Sequence, residues 1–504
     1  MTIKILLMLT VAAFSLRAEV LRPFPQADVT SGYGLRPNHL TQIQLSSAIT
    51  NKYNYWKSKY LAESVSVPGD YKVKYKADGQ TVSEAMGYGM LLTVYMAGAD
   101  TNAQVYFDGL NRFRKRYSSI INPALMCWQV PANEVNPGDD CATDGDIDMA
   151  MALLLAHRQW GGEAYFSEAT NLIYNIGASL VRSDYSLRLG DWNTAAGQTR
   201  PCDFMPTHFR SFYLATGDGL WTNVENKCYS ILEQLQSDYA PTTGLIPDFA
   251  VTNASAWKPA PANFLEGPQD GYYYYNACRV PWRIGWAAYG CGHSRAGALM
   301  SRLMAWTVSY YAAPADFRAG YELDGGNISG NNYDTACFIS PTGVGAMVTT
   351  NQSWLNSAFT YAANRKEAYY EDSVSLLSML VMSGNAWLIE PASPAKVPPD
   401  AWLVQYYGTT NIDVYAFSSN GVNTILQAYI AGLDPNNPSS FLRLTSPRPL
   451  IWNSASGRVY NVYWTSNMLR GFQILETNYV GGVFTDTVHG AEGQGFYKIE
   501  VKIE

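Results

Sequence analysis

The sequence predicts a large all-α domain followed by a small β-rich module. Apolar residues recur at helical spacing through the first part of the chain, as in residues 146–157, 296–312 and 371–387. Helices that are apolar over most of their circumference are buried on two sides, which favours a layered helical domain over a small bundle. The last part of the chain instead contains the alternating runs RVYNVYW and GFYKIEVKIE, which are typical of β-strands.

A proline-rich segment separates these two parts. Residues 391–400, PASPAKVPPD, contain four prolines, and proline both removes backbone donors and favours an extended chain, as in linkers. We therefore predict a helical domain over residues 19–395 and a linker with the β-rich module over 396–504. Within the module, GVNTILQAYIAGLDPNNP predicts a short helix followed by turns. It resembles the degenerate calcium-type repeats of secreted bacterial proteins, although only Asp413 and Asp434 supply carboxylates nearby.

The N-terminal segment is typical of a secretory signal peptide. Residues 1–18 contain Lys4, an apolar run from Ile5 to Phe14, and the small residue Ala18. The alternative is a buried N-terminal helix. No later segment has the ~20 uninterrupted apolar residues of a membrane span. We expect a secreted, periplasmic or cell-surface protein without a membrane span.

The composition favours a sugar-like ligand over a charged one. Of the 504 residues, 15% are charged and 13% are aromatic, with 36 Tyr and 14 Trp, which excludes a disordered chain. The net charge is −7 and the chain has no dense Lys/Arg cluster, which argues against a nucleic-acid partner. Few charges and many aromatic rings suit a surface that binds an uncharged, ring-shaped ligand.

The seven cysteines form no CxxC pair, so a zinc ribbon is not expected. Their odd number leaves at least one thiol unpaired. We expect them to act mainly as small buried hydrophobic residues, with one or two disulfides. The sequence implies no metal or organic cofactor, and we expect a monomer.

Two stretches place acidic residues in apolar surroundings. In SEAMGYGM, residues 83–90, Glu84 precedes small residues and Tyr88, and a carboxyl with poor hydration has a raised pKa that suits a general acid. The alternative is a helix-capping role for Glu84. In CATDGDIDMAMALLLAH, Asp144, Asp146 and Asp148 lead into an apolar helix, where acids also interact favourably with the helix dipole. Asp144 and Asp148 share one helix face, and Asp146 points elsewhere.

The same stretch also predicts caps for its helix. Thr143 and Asp144 stand just before the apolar residues 146–157 and are good capping residue types.

A third stretch combines acids with many aromatic residues. NFLEGPQDGYYYYNACRVPWR, residues 263–283, contains Glu266, Asp270, the tyrosines 272–275 and Arg279. A sugar-binding cleft needs such a mixture, because pyranose rings present C–H faces to aromatic rings and hydroxyls to carboxylates. The alternative is a tyrosine-rich packing loop. Because adjacent side chains diverge, we expect about two of the four tyrosines to face a cleft.

Together these stretches resemble glycoside hydrolase family 8. CATDGDIDMAMALLLAHRQW resembles the signature helix of the family, SEAMGYGM its general-acid motif and NACRVPWR its later arginine motif. RPCDFMPTHFRSF and YYEDSVSLLSMLVMSGNAW resemble further segments in the same order, so that the resemblance covers roughly residues 25–390. It implies an (α/α)6 barrel and an inverting hydrolase of β-1,4-linked glycans.

The resemblance implies roles for three residues and one departure. Glu84 matches the general acid, Asp144 the aspartate that holds the sugar at the cleavage subsite, and Arg279 an arginine near the site. Many members carry an aspartate base where this chain has Asn276, and an amide cannot accept a proton from water at neutral pH. In a minority branch, which includes chitosanases and mixed-linkage glucanases, a glutamate in an inserted upstream loop serves instead, and Glu266 matches it.

The predicted site therefore has three catalytic residues. Glu84 is the acid, Glu266 the base and Asp144 the residue that anchors and distorts the ring. Asp270 is the alternative candidate for the base, and Asp144 is a weaker candidate for that role. An inverting pair stands roughly 6.5–9.5 Å apart to admit a water. The expected substrate-binding residues, of which Trp128 could equally be a core residue, are Trp128, Asn276, Arg279, Tyr274, Tyr88 and Asp270.

We expect endo-acting cleavage of a β-glucan-type polysaccharide. Cellulose-type glucan, mixed-linkage β-glucan, xylan and chitosan all fit the resemblance, and the missing aspartate favours mixed-linkage glucan and chitosan. The alternative is a catalytically inactive glycan-binding protein whose C-terminal module attaches it to a surface.

Overall fold

The computed structural model describes residues 19–26, 34–252, 256–389, 398–410, 412–414, 416–466, 472–489, 492 and 494–503. The predicted signal peptide, residues 1–18, lies outside the described residues, as do residues 391–397 of the predicted linker. The chain divides into two compact units, Met1–Glu390 and Pro391–Glu504.

Twelve α-helices make up most of the described part of the first unit. They are α1 (Gln42–Tyr60), α2 (Ser83–Tyr95), α3 (Ala103–Arg116), α4 (Thr143–Trp160), α5 (Glu163–Leu180), α6 (Pro206–Thr216), α7 (Leu220–Tyr239), α8 (Val280–Cys291), α9 (Ser294–Tyr310), α10 (Ala336–Met347), α11 (Gln352–Asn364) and α12 (Tyr369–Met382).

The even-numbered helices form a closed inner ring. Each packs against the next, from α2 through α4, α6, α8 and α10 to α12, which returns to α2. The odd-numbered helices pack outside them, α1 on α12 and each of the others on the even-numbered helix nearest in sequence. The inner helices α2, α4, α10 and α12 are buried along nearly their whole length, whereas the outer helices keep an exposed face. This is an (α/α)6 barrel, as the family resemblance implied.

The apolar segments predicted as helices correspond to α4, α9 and α12, but α9 ends at Tyr310 and α12 at Met382, before the predicted ends at residues 312 and 387. The predicted caps of α4 are wrong. The helix already includes Thr143 and Asp144, and its N-cap residue Ala142 makes no side-chain hydrogen bond. The Thr143 hydroxyl instead donates to the Arg188 carbonyl, and Asp144 forms ion pairs. Both residues are used for tertiary contacts rather than for local capping.

Short strands border the loops at the end of the barrel where the inner helices begin. They pair antiparallel as β1 (Leu61–Glu63) with β2 (Tyr71–Val73), β3 (Thr81–Val82) with β4 (Gln129–Val130), and β5 (Gln198–Thr199) with β6 (Ala250–Thr252), which also pairs with β7 (Trp257–Pro259). Because β3 runs directly into α2, the β3–β4 pair fixes the start of that helix.

The second unit is β-rich, as predicted. After α13 (Asp400–Tyr407) and α14 (Ile425–Ala431) it has the strands β8 (Leu444–Pro447), β9 (Leu450–Trp452), β10 (Arg458–Thr465), β11 (Gln473–Tyr479), β12 (Val483–Phe484) and β13 (Phe496–Ile503). The predicted strands RVYNVYW and GFYKIEVKIE become β10 and β13, which pair antiparallel along their whole length. The strand orders are β11-β10-β13 and β12-β9-β8. Leu450, Trp452, Tyr460 and Val462 form the core of the unit.

All seven cysteines are described, and every one is a free thiol. The expected disulfides are therefore wrong. Six of the seven side chains are buried, which agrees with the expectation that they pack as small hydrophobic residues. None of the helices in the described parts of the chain has the length and apolar character needed to cross a membrane.

Candidate active site

The candidate site lies where the inner helices begin. Glu84 and Asp144 are the second residues of α2 and α4, Tyr369 is the first residue of α12, and Arg279 directly precedes α8. The barrel therefore brings together residues that are far apart in the sequence. Four of the predicted site residues, Glu84, Asp144, Asn276 and Arg279, are joined by direct hydrogen bonds at this end.

Arg279 is the centre of this network. Its Nη1 donates to Glu84 Oε2 at 2.7 Å and to Asp144 Oδ2 at 2.8 Å. Its Nη2 donates to Asn276 Oδ1 and to Cys202 Sγ, both at 2.9 Å. The arginine is buried, so each of these contacts is made away from bulk water, where charge interactions are stronger.

Glu84 has the environment of a general acid. Burial raises the pKa of its carboxyl to about 7, although Arg279 opposes that rise. Tyr369 donates to its second oxygen, Oε1, at 3.1 Å. The side chain as a whole retains 18% exposure. A carboxyl that is half protonated near neutral pH can donate a proton and be reprotonated in each cycle.

Asp144 is held as a carboxylate by two arginines. Its Oδ1 lies 2.8 Å from the Arg200 guanidinium, and its Oδ2 accepts from Arg279. Burial acts to raise the pKa of Asp144, but Arg200 and Arg279 outweigh it and hold the pKa well below its usual range. Glu84 and Asp144 thus have opposite pKa shifts although both accept from Arg279.

Arg279 and Asn276 connect this group to the third predicted catalytic residue. Asn276 Nδ2 donates to Glu266 Oε2 at 2.8 Å. Glu266 is exposed, in contrast to Glu84 and Asp144. A hydrogen-bonded path of three contacts therefore runs from Glu84 through Arg279 and Asn276 to Glu266, and the two carboxyl groups belong to one site.

Asp270 holds the loop that carries Glu266. Its Oδ2 accepts from the backbone N–H of Leu265 at 2.6 Å and of Glu266 at 3.1 Å, and its Oδ1 accepts from that of Gly267 at 3.0 Å. The side chain is buried and these three donors occupy it. Its position supports a loop-anchoring role rather than the substrate contact or the alternative base role expected from the sequence.

The predicted aromatic residues occupy different environments. Trp128 is 42% exposed, and its carbonyl accepts from Ser83 N directly before Glu84. Tyr88 is fully buried, and its hydroxyl accepts from Arg279 at 3.2 Å. Tyr88 therefore contacts Arg279 inside the protein, and its burial does not agree with the expected substrate contact.

The tyrosine run is divided between core and surface. Tyr273 is buried against Phe317 and Phe338, whereas Tyr272, Tyr274 and Tyr275 are half-buried. Tyr274 packs edge-on against Tyr275, so its ring is only partly available to a ligand.

The remaining acids of the signature helix are structural. Asp148 accepts two hydrogen bonds from Arg283 and pairs with His208 at 2.9 Å inside the barrel. Among the described residues, Asp146 accepts a hydrogen bond only from the Met126 N–H, and burial raises its pKa to about 8. Asp144 and Asp148 both face the barrel interior and Asp146 does not, as the helical spacing predicted.

Sequence reasoning missed four residues of the site. Arg200 and Cys202 stand in RPCDF and Tyr369 in YYEDS, segments noted only for their family resemblance. Asp248 accepts the backbone N–H groups of Tyr274, Asn276 and Ala277. The only signal for Asp248 was a single acid within the apolar run GLIPDFAV.

The (α/α)6 barrel thus joins a partly buried carboxyl of raised pKa, that of Glu84, to the exposed carboxyl of Glu266 through one hydrogen-bonded path. Comparison with known proteins identifies the class of protein. The model of the glycosyl hydrolases family 8 matches residues 37–384, and the chain belongs to that family. The protein is a glycoside hydrolase.

The individual proteins to which this chain is similar are also named as glycoside hydrolases. The chain is 45% identical over 377 residues to a beta-glucanase of Niallia circulans, covering 73% of this chain and 91% of that protein. It is 43% identical over 389 residues to an endoglucanase of Bacillus sp. strain KSM-330, covering 73% and 82%.

Among solved structures, the apo beta-1,3-1,4-glucanase from Paenibacillus sp. X4 matches with a TM-score of 0.71 and 44% identity over 74% of this chain and 100% of that one. Rex8A from Paenibacillus barcinonensis matches at 16% identity with a TM-score of 0.58, which supports the fold alone.

Proposed function

We propose that the protein is a secreted, inverting endo-glycoside hydrolase that cleaves β-glucan, with Glu84 as general acid and Glu266 as general base. The observation that supports this proposal is the path Glu84–Arg279–Asn276–Glu266, which links a carboxyl of raised pKa to an exposed carboxyl by hydrogen bonds. Inversion needs one carboxyl to protonate the leaving oxygen and another to activate a water on the opposite face of the sugar.

Glu266 is the better placed of the two candidate bases. Its carboxylate is exposed to solvent, from which the nucleophilic water must come, and it accepts from Asn276. Asp270 is buried, and the backbone of the same loop occupies its oxygens. Asn276 itself has an amide, which cannot act as a base near neutral pH.

Asp144 supplies the fixed negative charge of the site. Because Arg200 and Arg279 keep it ionised, it accepts hydrogen bonds at any working pH and donates none. Its side chain is buried and both oxygens contact arginines, so we propose that the hydroxyls of the sugar at the cleavage subsite compete with these arginines for its oxygens and that this contact favours the distorted ring. Hydrogen bonds that strengthen in the transition state contribute to the rate rather than to ground-state binding.

The relatives direct the choice of substrate toward β-glucan. The proteins similar to this chain at 43–45% identity are named as a beta-glucanase, an endoglucanase and a beta-1,3-1,4-glucanase. We therefore propose mixed-linkage β-1,3-1,4-glucan as the first substrate and cellulose-type glucan as the second. Export by the N-terminal segment agrees with a polymeric substrate outside the cell.

One substrate panel tests the proposal. Purified enzyme is incubated with lichenan, carboxymethylcellulose, xylan and chitosan, and reducing ends and viscosity are followed together. We expect the highest rate on lichenan, with viscosity falling much faster than reducing ends appear, as endo action requires. No cleavage of any polymer combined with retention in lichenan affinity gels would instead indicate an inactive glycan-binding protein.

A further inference from the structure

Asn276 stands between the proposed base and the arginine of the site. Its Oδ1 accepts from Arg279 Nη2 at 2.9 Å, and its Nδ2 donates to Glu266 Oε2 at 2.8 Å and to Asp248 Oδ2 at 3.4 Å. The residue is 6% exposed. Both ends of the amide are therefore used within the protein, which leaves little of the side chain for a sugar.

An amide is the side chain that fits this position. The Arg279 guanidinium needs an acceptor on one side, and the Glu266 and Asp248 carboxyl groups need a donor on the other. An amide supplies both from one planar group, an acceptor oxygen and a donor NH2. Aspartate at this place would keep the acceptor for Arg279 but lose the donor. It would also put a third carboxylate beside Glu266 and Asp248, and like charges at such distances disfavour ionisation.

The backbone around Asn276 is fixed by a buried acid. Asp248 Oδ1 accepts from Tyr274 N at 3.0 Å and Ala277 N at 2.6 Å, and its Oδ2 accepts from Asn276 N at 3.1 Å. Three backbone donors therefore hold the segment that carries the amide. The backbone of Glu266 is itself held by Asp270, so the contact with the amide sets the orientation of the exposed Glu266 side chain and not the position of its loop.

We propose that Asn276 is a positioning residue that orients Glu266, rather than a substrate contact or the remnant of a lost base. Asp248 acts through it by fixing its backbone. This inference rests on the proposed function, because it takes Glu266 to be the base. The charged or titratable groups that face the amide are Glu266, Asp248 and Arg279, and beyond Arg279 lie Glu84 and Asp144.

The test compares Asn276→Asp and Asn276→Ala with the wild type on lichenan across pH. Because general-base catalysis contributes about 10²–10⁴-fold, we expect Asn276→Ala, which adds no carboxylate that could replace the base, to lose at least about 100-fold in kcat. KM should change by less than about threefold. The acidic limb of the kcat/KM profile should move up by at least about one pH unit in Asn276→Asp, because the added charge opposes ionisation of the base, and by less in Asn276→Ala.

Controls separate this role from general damage. Asn171→Asp adds the same charge on the exposed face of α5 and should leave kcat and the pH profile unchanged. Wild-type kcat and an unmoved acidic limb in Asn276→Asp would overturn the inference. Equal losses in both variants with an unmoved limb would also overturn it, since they indicate a purely structural role.

Two further outcomes are also decisive. If Asn276→Asp does not fold, the kcat/KM profile of Asn276→Ala decides the question. A shift of its acidic limb supports the positioning role, and an unmoved acidic limb overturns that role. Glu266→Gln serves as the separate reference. Full activity in that variant would remove the base assignment itself, whereas an inactive Glu266→Gln with an unmoved limb in the Asn276 variants would refute only the positioning role.

Discussion

Gly145 of α4 lies directly against Ser83 of α2. A Cβ at Gly145 would come within 2.5 Å of the Ser83 carbonyl carbon and 2.7 Å of its carbonyl oxygen. On the facing helix, a Cβ at Gly87 would come within 2.8 Å of Asp148 Cβ. The two inner helices therefore cross at a distance that only glycine allows, and this crossing sets the spacing between Glu84 and Asp144.

We predict that Gly145→Ala destabilises the barrel and disturbs the site. The contact involves backbone, which cannot move away, so we expect a loss of about 1–3 kcal/mol in the free energy of unfolding. Denaturant unfolding of the purified variant measures it. Gly297→Ala in α9 is the control, because nothing lies within 4 Å of a Cβ there, and alanine should stabilise that helix by up to about 1 kcal/mol. Equal stability of Gly145→Ala and wild type would contradict the close crossing.

The raised pKa of Glu84 predicts both a pH limb and a leaving-group effect. A general acid must be protonated, so kcat/KM on lichenan should fall as the pH rises through about 7. Glu84→Gln should be almost inactive on lichenan, yet retain much of its rate on aryl glycosides whose leaving group needs no proton. The alkaline limb should be absent in that variant. A folded Glu84→Gln that still degrades lichenan would remove Glu84 from the acid role.

Removing the charge of Glu266 should lower kcat far more than removing the charge of Asp270. Glu266→Gln removes the proposed base, and we expect a loss of about 10²–10⁴-fold in kcat. Asp270→Asn loosens the loop, because Asp270 accepts three backbone N–H groups there, but leaves the base in place and should keep a measurable rate. Steady-state kinetics on lichenan gives the ranking. The reverse ranking would transfer the base role to Asp270.

The raised pKa of the buried Asp146 makes the free energy of unfolding depend on pH. Burial raises the pKa of Asp146 to about 8 in the folded protein, against about 3.9 in an unfolded chain. Between these values the folded state keeps a proton that the unfolded state has released. Asp146 therefore contributes a fall in the free energy of unfolding as pH rises from about 4 to 8, of up to about 1.4 kcal/mol per pH unit.

Asp146→Asn removes that titration and keeps an acceptor for the Met126 N–H. Its free energy of unfolding should fall less steeply with pH than that of the wild type. The exposed Asp139 offers the matched control, since Asp139→Asn should reproduce the wild-type slope. Urea unfolding at several pH values between 5 and 8 measures the slopes, and identical slopes for wild type and Asp146→Asn would contradict the assignment.

The helical barrel and the core of the site could be predicted because their signals are local. The apolar periodicity of α4, α9 and α12 reflects burial on two sides, and Glu84, Asp144, Glu266 and Arg279 stand in short motifs where polar groups interrupt apolar sequence. A buried charge needs a partner, so such interruptions mark positions at which chains meet.

The parts that could not be predicted depend on distant contacts. Arg200 contacts Asp144, which is 56 positions away in the chain, and Asp248 contacts Asn276, which is 28 positions away. No local sequence pattern identifies such a partner. Tyr88 and Asp270 were expected at the substrate because they stand within the motifs, but burial gives them supporting roles. The Thr143 hydroxyl likewise bonds Arg188 instead of capping α4.

The most direct test of the two-carboxyl account uses Glu266→Ala with sodium azide. The smaller side chain leaves room for the anion where the base would have activated water, and Glu84 still protonates the leaving group. The account predicts that azide restores cleavage of a β-glucan oligosaccharide and that NMR shows an α-glycosyl azide. A β-glycosyl azide, or an azide product from Asp270→Ala and none from Glu266→Ala, would contradict it.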